Sequence, residues 1–420
     1  MKKILSFYAV LVLATACIYP YQPDLEDAPD GILVVDGDLT IGEKSLVRVG
    51  FMSSLWPKPA DQSGSGGGLG LYYAKAAGYN NGILVWAEDD AGGEYPGTID
   101  TAGITSSLTS SSYTYYNPNI PFVIDLVNAQ ADRHYRVCVQ VGDLLYSSDW
   151  IKPLAAPTIK NITFKASKLS DKADVTVSVT LESGPDATGY VLLSFDEAWR
   201  FHAEYYPNYV YDPRTNSVSE RIFPWERYWC WKLVDNGKQI PVDFSGMSTS
   251  TLKDYPFHSF SRYDNRNHQR YSIRLKARTI NKETYQYLSH LEESTESGDN
   301  LFTPNPGEIA GNLRCETDPD RMVLGYVTVS LTATKRAYNN SQFLLTRSQS
   351  PYDLAYPPQW PKISGGPWFG EFYQMGYMPL IANNLPDSEA DYGPYGWGPA
   401  NCYDCIAAGG TQKQPDFWEN

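Results

Sequence analysis

The chain has 420 residues, enough for two to three domains that each bury a core. Apolar residues make up 42% and charged residues 20%, which excludes a disordered chain, and 33 glycines with 29 prolines exclude a helical bundle or coiled coil. A formal charge of −14 excludes bulk neutralisation of nucleic-acid phosphates, and no apolar run reaches the roughly 20 residues of a membrane-spanning helix.

Met1-Lys2-Lys3 is a basic start, and Ile4 to Ala16 is an apolar stretch ending in small side chains, the pattern of a secretory signal over 1–16. It runs into Leu13-Ala14-Thr15-Ala16-Cys17, which resembles the lipobox of bacterial lipoproteins, with Ala14 where leucine is more usual. That resemblance implies lipidation of Cys17, a mature chain beginning there, and a side-chain charge near −16 once Lys2 and Lys3 are removed. Residues 17–30 are polar and proline-rich, a tether that holds a folded body off the membrane. Its acids begin only at Asp24, so they do not choose between the periplasmic and the cell-surface face.

From residue 31 the pattern is that of short strands. Gly31 to Asp38, Ser45 to Phe51, Gly82 to Asp90, and a hairpin of Arg133–Val141 and Leu144–Trp150 around Gly142-Asp143 predict an antiparallel β-sandwich over 31–154. Asp61 to Gly70 is a Gly/Ser loop, and Pro153 and Pro157 mark the boundary. A second β-module is predicted over 155–335. Its strands are Thr158–Ala166, Ala173–Leu181, Gly189–Phe195, Gln269–Thr279 and a closing strand Met322–Thr332. Val175, Val177, Val179 and Leu181 alternate inward, with Thr176, Ser178 and Thr180 outward. One helix is expected, capped by Asn281, with Tyr285, Leu288 and Leu291 on one face and Gly298 at its end. An aromatic insertion occupies about 197–260, and 336–420 read as an irregular tail packing on the second module. The predicted class is mainly β: tandem antiparallel immunoglobulin- or fibronectin-like sandwiches with one short helix.

Apart from Cys17, five cysteines remain. Cys138 reads as a lone strand thiol. Cys230, Cys315, Cys402 and Cys405 are disulfide candidates in a compartment that permits them, and four cysteines allow three pairings. We expect the tail to be pinned through Cys402 or Cys405, with Cys315 as the favoured partner. The Cys402-Tyr403-Asp404-Cys405 spacing also suits zinc or a redox pair, but the five histidines are scattered, and no metal or cofactor is expected.

Eleven rings lie between Trp199 and Trp231 and eleven more between Tyr352 and Trp397. Tyr205, Tyr206, Tyr209, Tyr211, Trp225, Trp229 and Trp231 are therefore candidates for a binding surface. The competing reading is that long loops need large side chains to form a core at all. Asp89/Asp90 and Glu292/Glu293 read as solvated pairs, and Asp318-Pro319-Asp320 lacks the ligand spacing of a calcium loop. There is no G-x-S-x-G, HExxH or P-loop, so no enzyme is expected.

The run Gly298 to Asn312, with Leu301-Phe302, Pro304 and Pro306 before Gly311-Asn312 and Cys315, resembles the Bacteroidota lipoproteins catalogued as domain of unknown function family 4249. Leu33 to Gly37, Val323 to Tyr326, Cys402 to Cys405 and Pro415 to Trp418 extend the likeness over nearly the whole mature chain. The resemblance implies an outer-membrane lipoprotein usually encoded beside a TonB-dependent β-barrel receptor, with no catalytic residues to carry over. The expected function is thus a non-catalytic accessory or ligand-binding subunit of such an uptake system, anchored through Cys17. The alternatives are a structural or adhesive surface protein and a surface hydrolase.

Overall fold

The computed structural model describes residues 32–52, 83–100, 120–167, 174–186, 188–247, 250–261, 264–296, 311–339, 362–363, 368–382 and 395–418. The signal, Cys17, the tether, the Gly/Ser loop at 61–70 and most of the 298–312 run lie outside them. In chain order the first elements are β1 (Ile32–Thr40), β2 (Lys44–Met52), β3 (Ile83–Asp89), β4 (Glu94–Ile99), β5 (Ile120–Asp125), β6 (Tyr135–Val141) and β7 (Leu144–Ser148). There follow β8 (Thr158–Ala166), β9 (Asp174–Glu182), β10 (Tyr190–His202), β11 (Tyr209–Asp212), β12 (Ser217–Glu220), β13 (Trp229–Asp235), β14 (Ile240–Asp243), β15 (Thr251–Ser261) and β16 (Arg270–Thr279). The last are α1 (Lys282–Glu296), β17 (Leu313–Cys315), β18 (Val323–Ser330), β19 (Thr332–Asn339), β20 (Lys362–Ile363), α2 (Trp368–Gln374), β21 (Tyr377–Ala382) and β22 (Tyr395–Pro399). The architecture is mainly β, as the strand periodicity predicts.

The first body is a nine-stranded sheet in the order β17-β7-β6-β3-β4-β5-β2-β1-β18. Alternating residues such as Leu33, Val35, Val47, Val49, Ile124, Val137 and Val139 point to one side and form its core. The two ends of this sheet meet. Asn312, immediately before β17, donates through Nδ2 to the carbonyl of Val327 and accepts from the Val327 amide at Oδ1, both at 2.8 Å. One side-chain amide thereby replaces a strand pair. Gly311 permits the close approach, since a Cβ there would collide with the Gly325 carbonyl; Gly325 itself has φ +106°, and a Cβ on it would strike the Val35 carbonyl of β1. Replacing Asn312 by Ala would leave the backbone groups of fully buried Val327 unpaired. The expected loss is about 2 kcal/mol, read as a lower urea midpoint. An unchanged midpoint would show that this closure carries no stability.

Here the sequence expectation needs correction. Met322–Thr332, expected to close the second module, contains β18, which pairs in parallel with β1 from Leu33↔Val323 to Thr40↔Ser330. The alternation in β18 is that of any half-buried strand, and it carries no information about which sheet the strand joins.

The second body packs two sheets face to face. One has the order β13-β10-β16-β19 with β14 also on β10; the other is β15-β9-β8. Val175, Val177, Val179 and Leu181 of β9 meet Val191, Leu193 and Phe195 of β10 and Ile273 and Leu275 of β16 between them. Ser178, expected to face out, is buried. Inside the same core lies a carboxylate. Glu197 Oε1 receives the Tyr271 hydroxyl at 2.7 Å and Arg266 Nε at 3.0 Å, with His258 Nε2 also at 3.0 Å. Its Oε2 is buried with no hydrogen-bond partner.

Helix α1 starts as expected, with the Asn281 side chain accepting from the Thr284 amide at 2.8 Å. Leu291, expected on its packed face, is exposed. The tail is more regular than its sequence suggests. It contributes β19 to the second body, and a small sheet β20-β22-β21 whose Trp397, with Phe369 of α2, packs around Tyr211.

Candidate functional site

The aromatic candidates turn mostly inward. Tyr211 is buried against Phe369, Tyr373 and Trp397. Tyr205 stacks on Tyr403 at 5.2 Å, Tyr206 lies against Tyr228 at 4.5 Å, and Tyr209 meets Tyr395 edge-on at 5.3 Å. Trp229 and Trp231 are half-buried and flank the Arg200 guanidinium at 5.0 and 5.1 Å. Trp225 falls in a short 3-10 turn, Pro224–Arg227, and its side chain lies outside the described residues. The rings thus join the insertion to the tail, which is the core-forming role set against the binding one above.

The tail is also cross-linked. Cys405 bonds to Cys230, not to Cys315 as favoured from the sequence. Cys138, Cys315 and Cys402 are free thiols. Burial and the neighbouring Glu88 push the Cys138 thiol up to about 12, and burial with Glu204 pushes Cys402 up to about 11, so neither is a ready thiolate. Beyond the disulfide, Thr411 exchanges two backbone hydrogen bonds with Trp231 at the edge of β13. Phe417 lies 3.6 Å beneath the Arg336 guanidinium, and Tyr338 donates to its carbonyl at 2.6 Å. The last described turn therefore crosses from β13 to β19. Among the described residues, no group of three or more His, Cys, Asp or Glu side chains converges on a metal position.

What the sequence reading missed is a cleft of about 740 Å³ at the seam of the two bodies. Four stretches and Leu192 of β10 line it; the stretches are Asp149 to Leu154 between β7 and β8, the end of β16 with the first turns of α1, Gly311-Asn312, and Tyr326 to Ser330 of β18. Because side chains alternate along a strand, Val327 and Val329 enter the core of the first body, whereas Tyr326, Thr328 and Ser330 fall on the other side. Arg278, on the corresponding face of β16, is buried at the floor, and its Nη1 pairs with Asp38 of β1. Asp38 also accepts from Thr328 Oγ1 at 3.0 Å. This ion pair ties the second body to the first.

One wall carries Tyr287 of α1 stacked on Tyr326 at 4.4 Å, with Thr284 Oγ1 3.2 Å from the Tyr326 hydroxyl. Burial raises both phenols above the ordinary tyrosine range, so they stay neutral hydrogen-bonding groups. Trp150, also in the lining, is 41% exposed, with the Arg136 guanidinium 4.6 Å from its ring. Leu154, Leu192 and Ile280 supply apolar surface, while Lys152, Glu283, Gln286 and His290 supply polar groups. Such a concave mixture of aromatic and apolar walls with a few fixed polar groups is suited to holding a small ligand. No local motif announces it, because Arg278 and Asp38 are 240 positions apart and each reads as an ordinary strand residue.

The model of the family described as domain of unknown function DUF4249 matches residues 18–336, which span the first body and all of the cleft lining. No curated protein matches the chain.

Proposed function

The chain belongs to the DUF4249 family, and from that premise we propose that it is a lipid-anchored, non-catalytic accessory subunit of a TonB-dependent outer-membrane uptake system, with the seam cleft as its ligand-binding surface. The observation that carries the reading is the cleft itself: a concave site lined by Arg278, which Asp38 holds in place, with walls from both bodies. A site assembled on strands and a helix is already shaped before ligand arrives, which limits the ordering cost of binding. The basic start, the apolar run and Cys17 supply the anchor, and the family resemblance supplies the receptor. With a side-chain charge near −16 the body is repelled by anionic headgroups, so a protein partner is the favoured neighbour at the membrane.

Two measurements test this. Replacing Cys17 by Ala is expected to move the protein from the membrane fraction to the soluble fraction; unchanged fractionation would reject the anchor. Affinity purification from detergent-solubilised membranes is expected to recover a β-barrel receptor with the native protein. Recovery of no barrel protein would reject the uptake role.

A further inference from the structure

The polar groups at the floor of the cleft are unevenly matched. Arg278 is 5% exposed and carries five donors, yet Asp38 is its one acceptor among the described residues. Arg278 contributes no nitrogen to the buried atoms left without partners, so its remaining donors open onto the cleft that it lines. Ser330, two residues beyond Thr328 on the same face of β18, is 3% exposed and also lines the cleft. Its carbonyl accepts from the Ile41 amide, but its hydroxyl is buried with no hydrogen-bond partner. A buried hydroxyl in that state is costly unless something meets it. Both features call for an acceptor delivered from the cleft.

The charges define that acceptor further. Asp149, on the rim, is already held by Arg314 at 2.7 Å. Lys152, on the same rim, has no ion-pair partner among the described residues. Asp38 cancels the charge of Arg278, and Lys152 and Glu283, which both line the cleft, cancel each other, so the lining is near neutral overall. With no surplus of positive charge to draw on, a monoanion is tolerated better here than a dianion. A phosphate near −2 would meet Asp38 and Glu283 with less compensation. The open edge of a guanidinium matches the planar, two-oxygen geometry of a carboxylate.

We propose that the ligand of the seam cleft bears a carboxylate, which accepts from Arg278 and the Ser330 hydroxyl at the floor while its body lies against the apolar and aromatic walls. This rests on the reading of the cleft as a ligand site. The carboxylate can belong to a sugar acid or to the C-terminus of a short peptide, and matched probes separate the two.

The test is calorimetric titration of the purified protein with glucuronate against glucose, and with the tripeptide Ala-Leu-Ala against its C-terminal amide. The expected result is at least tenfold tighter binding of one carboxylate probe than of its neutral partner. Arg278→Gln should abolish that preference. Because Arg278 also joins the two bodies, this variant can fail to fold; Ser330→Ala, which removes only an unpartnered hydroxyl, should lower carboxylate affinity about fivefold with a melting temperature no lower than that of the native protein. Equal binding of a charged probe and its neutral partner would overturn the carboxylate while keeping the cleft as a ligand site. Binding of no probe, or carboxylate binding unaffected by Ser330→Ala in a folded protein, would overturn the proposal. Receptor recovery by affinity purification is read separately, so the partner can stand when the ligand class falls.

Discussion

Replacing Glu197 by Gln is expected to destabilise the protein by about 3 kcal/mol, because removing a buried carboxylate leaves Arg266 undercompensated. Arg266 would keep Asp264 at 2.8 Å, but the partner shared with His258 and Tyr271 would lose its charge. The effect has a pH signature. Burial alone pushes the Glu197 carboxyl upward, yet hydrogen bonds from His258 and Tyr271 and the charge of Arg266 outweigh it and hold the carboxyl below its ordinary value. A carboxyl depressed on folding contributes stability that is present above its unfolded value, about 4.3, and is lost as pH falls through its folded value. Urea titrations should therefore show the gap between native and variant protein narrowing as pH drops below about 4. A gap that is constant from pH 7 to pH 3 would mean that the charge of Glu197 is irrelevant and only its shape matters.

Cys405→Ser should have an effect of comparable size. The bond to Cys230 closes a loop with a sequence separation of 175. In the chain-entropy model a loop of that length is worth about 5 kcal/mol at most, removed from the unfolded chain. Near the bond, the Cys405 amide donates to the Arg227 carbonyl at 2.9 Å, and Arg227 reaches Asp404 at 3.1 Å. These contacts hold the folded end in place after the bond is cut. The variant should thus keep its native circular dichroism at 25 °C while its urea midpoint falls. Cys315→Ser and Cys402→Ser, which touch free thiols, should leave the midpoint within error of the native value. A fall of equal size in Cys402→Ser would mean that the cross-link exchanges between neighbouring cysteines.

Local features were legible in the sequence, and long-range ones were not. The inward row Val175, Val177, Val179, Leu181 was readable because a period of two needs no partner to be seen. The same holds for the Asn281 cap, which is decided within one helical turn. Ser178 defied its pattern because its neighbours in the folded body, not its own strand, decide how much of it is covered. The favoured partner of Cys405, Cys315, was the wrong one, since loop closure depends only weakly on length and cannot rank the pairings. The cleft was invisible for a related reason: it needs Arg278 of β16, held by Asp38 of β1, brought beside Ser330 of β18. The aromatic clusters stand out in the composition of the chain. Composition cannot say whether a ring faces water or another ring, and here Tyr211 faces rings.

The parallel pairing of β1 with β18 has a consequence for how the molecule comes into being. Strand β1 is among the first described parts to be synthesised, and its neighbour on one side arrives only after the whole β8–β16 body and α1 have been made. Until then one edge of β1 shows its amides and carbonyls to any passing strand, the situation in which nascent chains mispair or aggregate. The wait also gives the protein a high share of distant contacts, which slows folding. A protease cut at the Pro153–Pro157 boundary would accordingly yield no pair of self-sufficient halves: the N-terminal fragment would lack β17 and β18, the strands at the two ends of its sheet, and both would depart with the other piece.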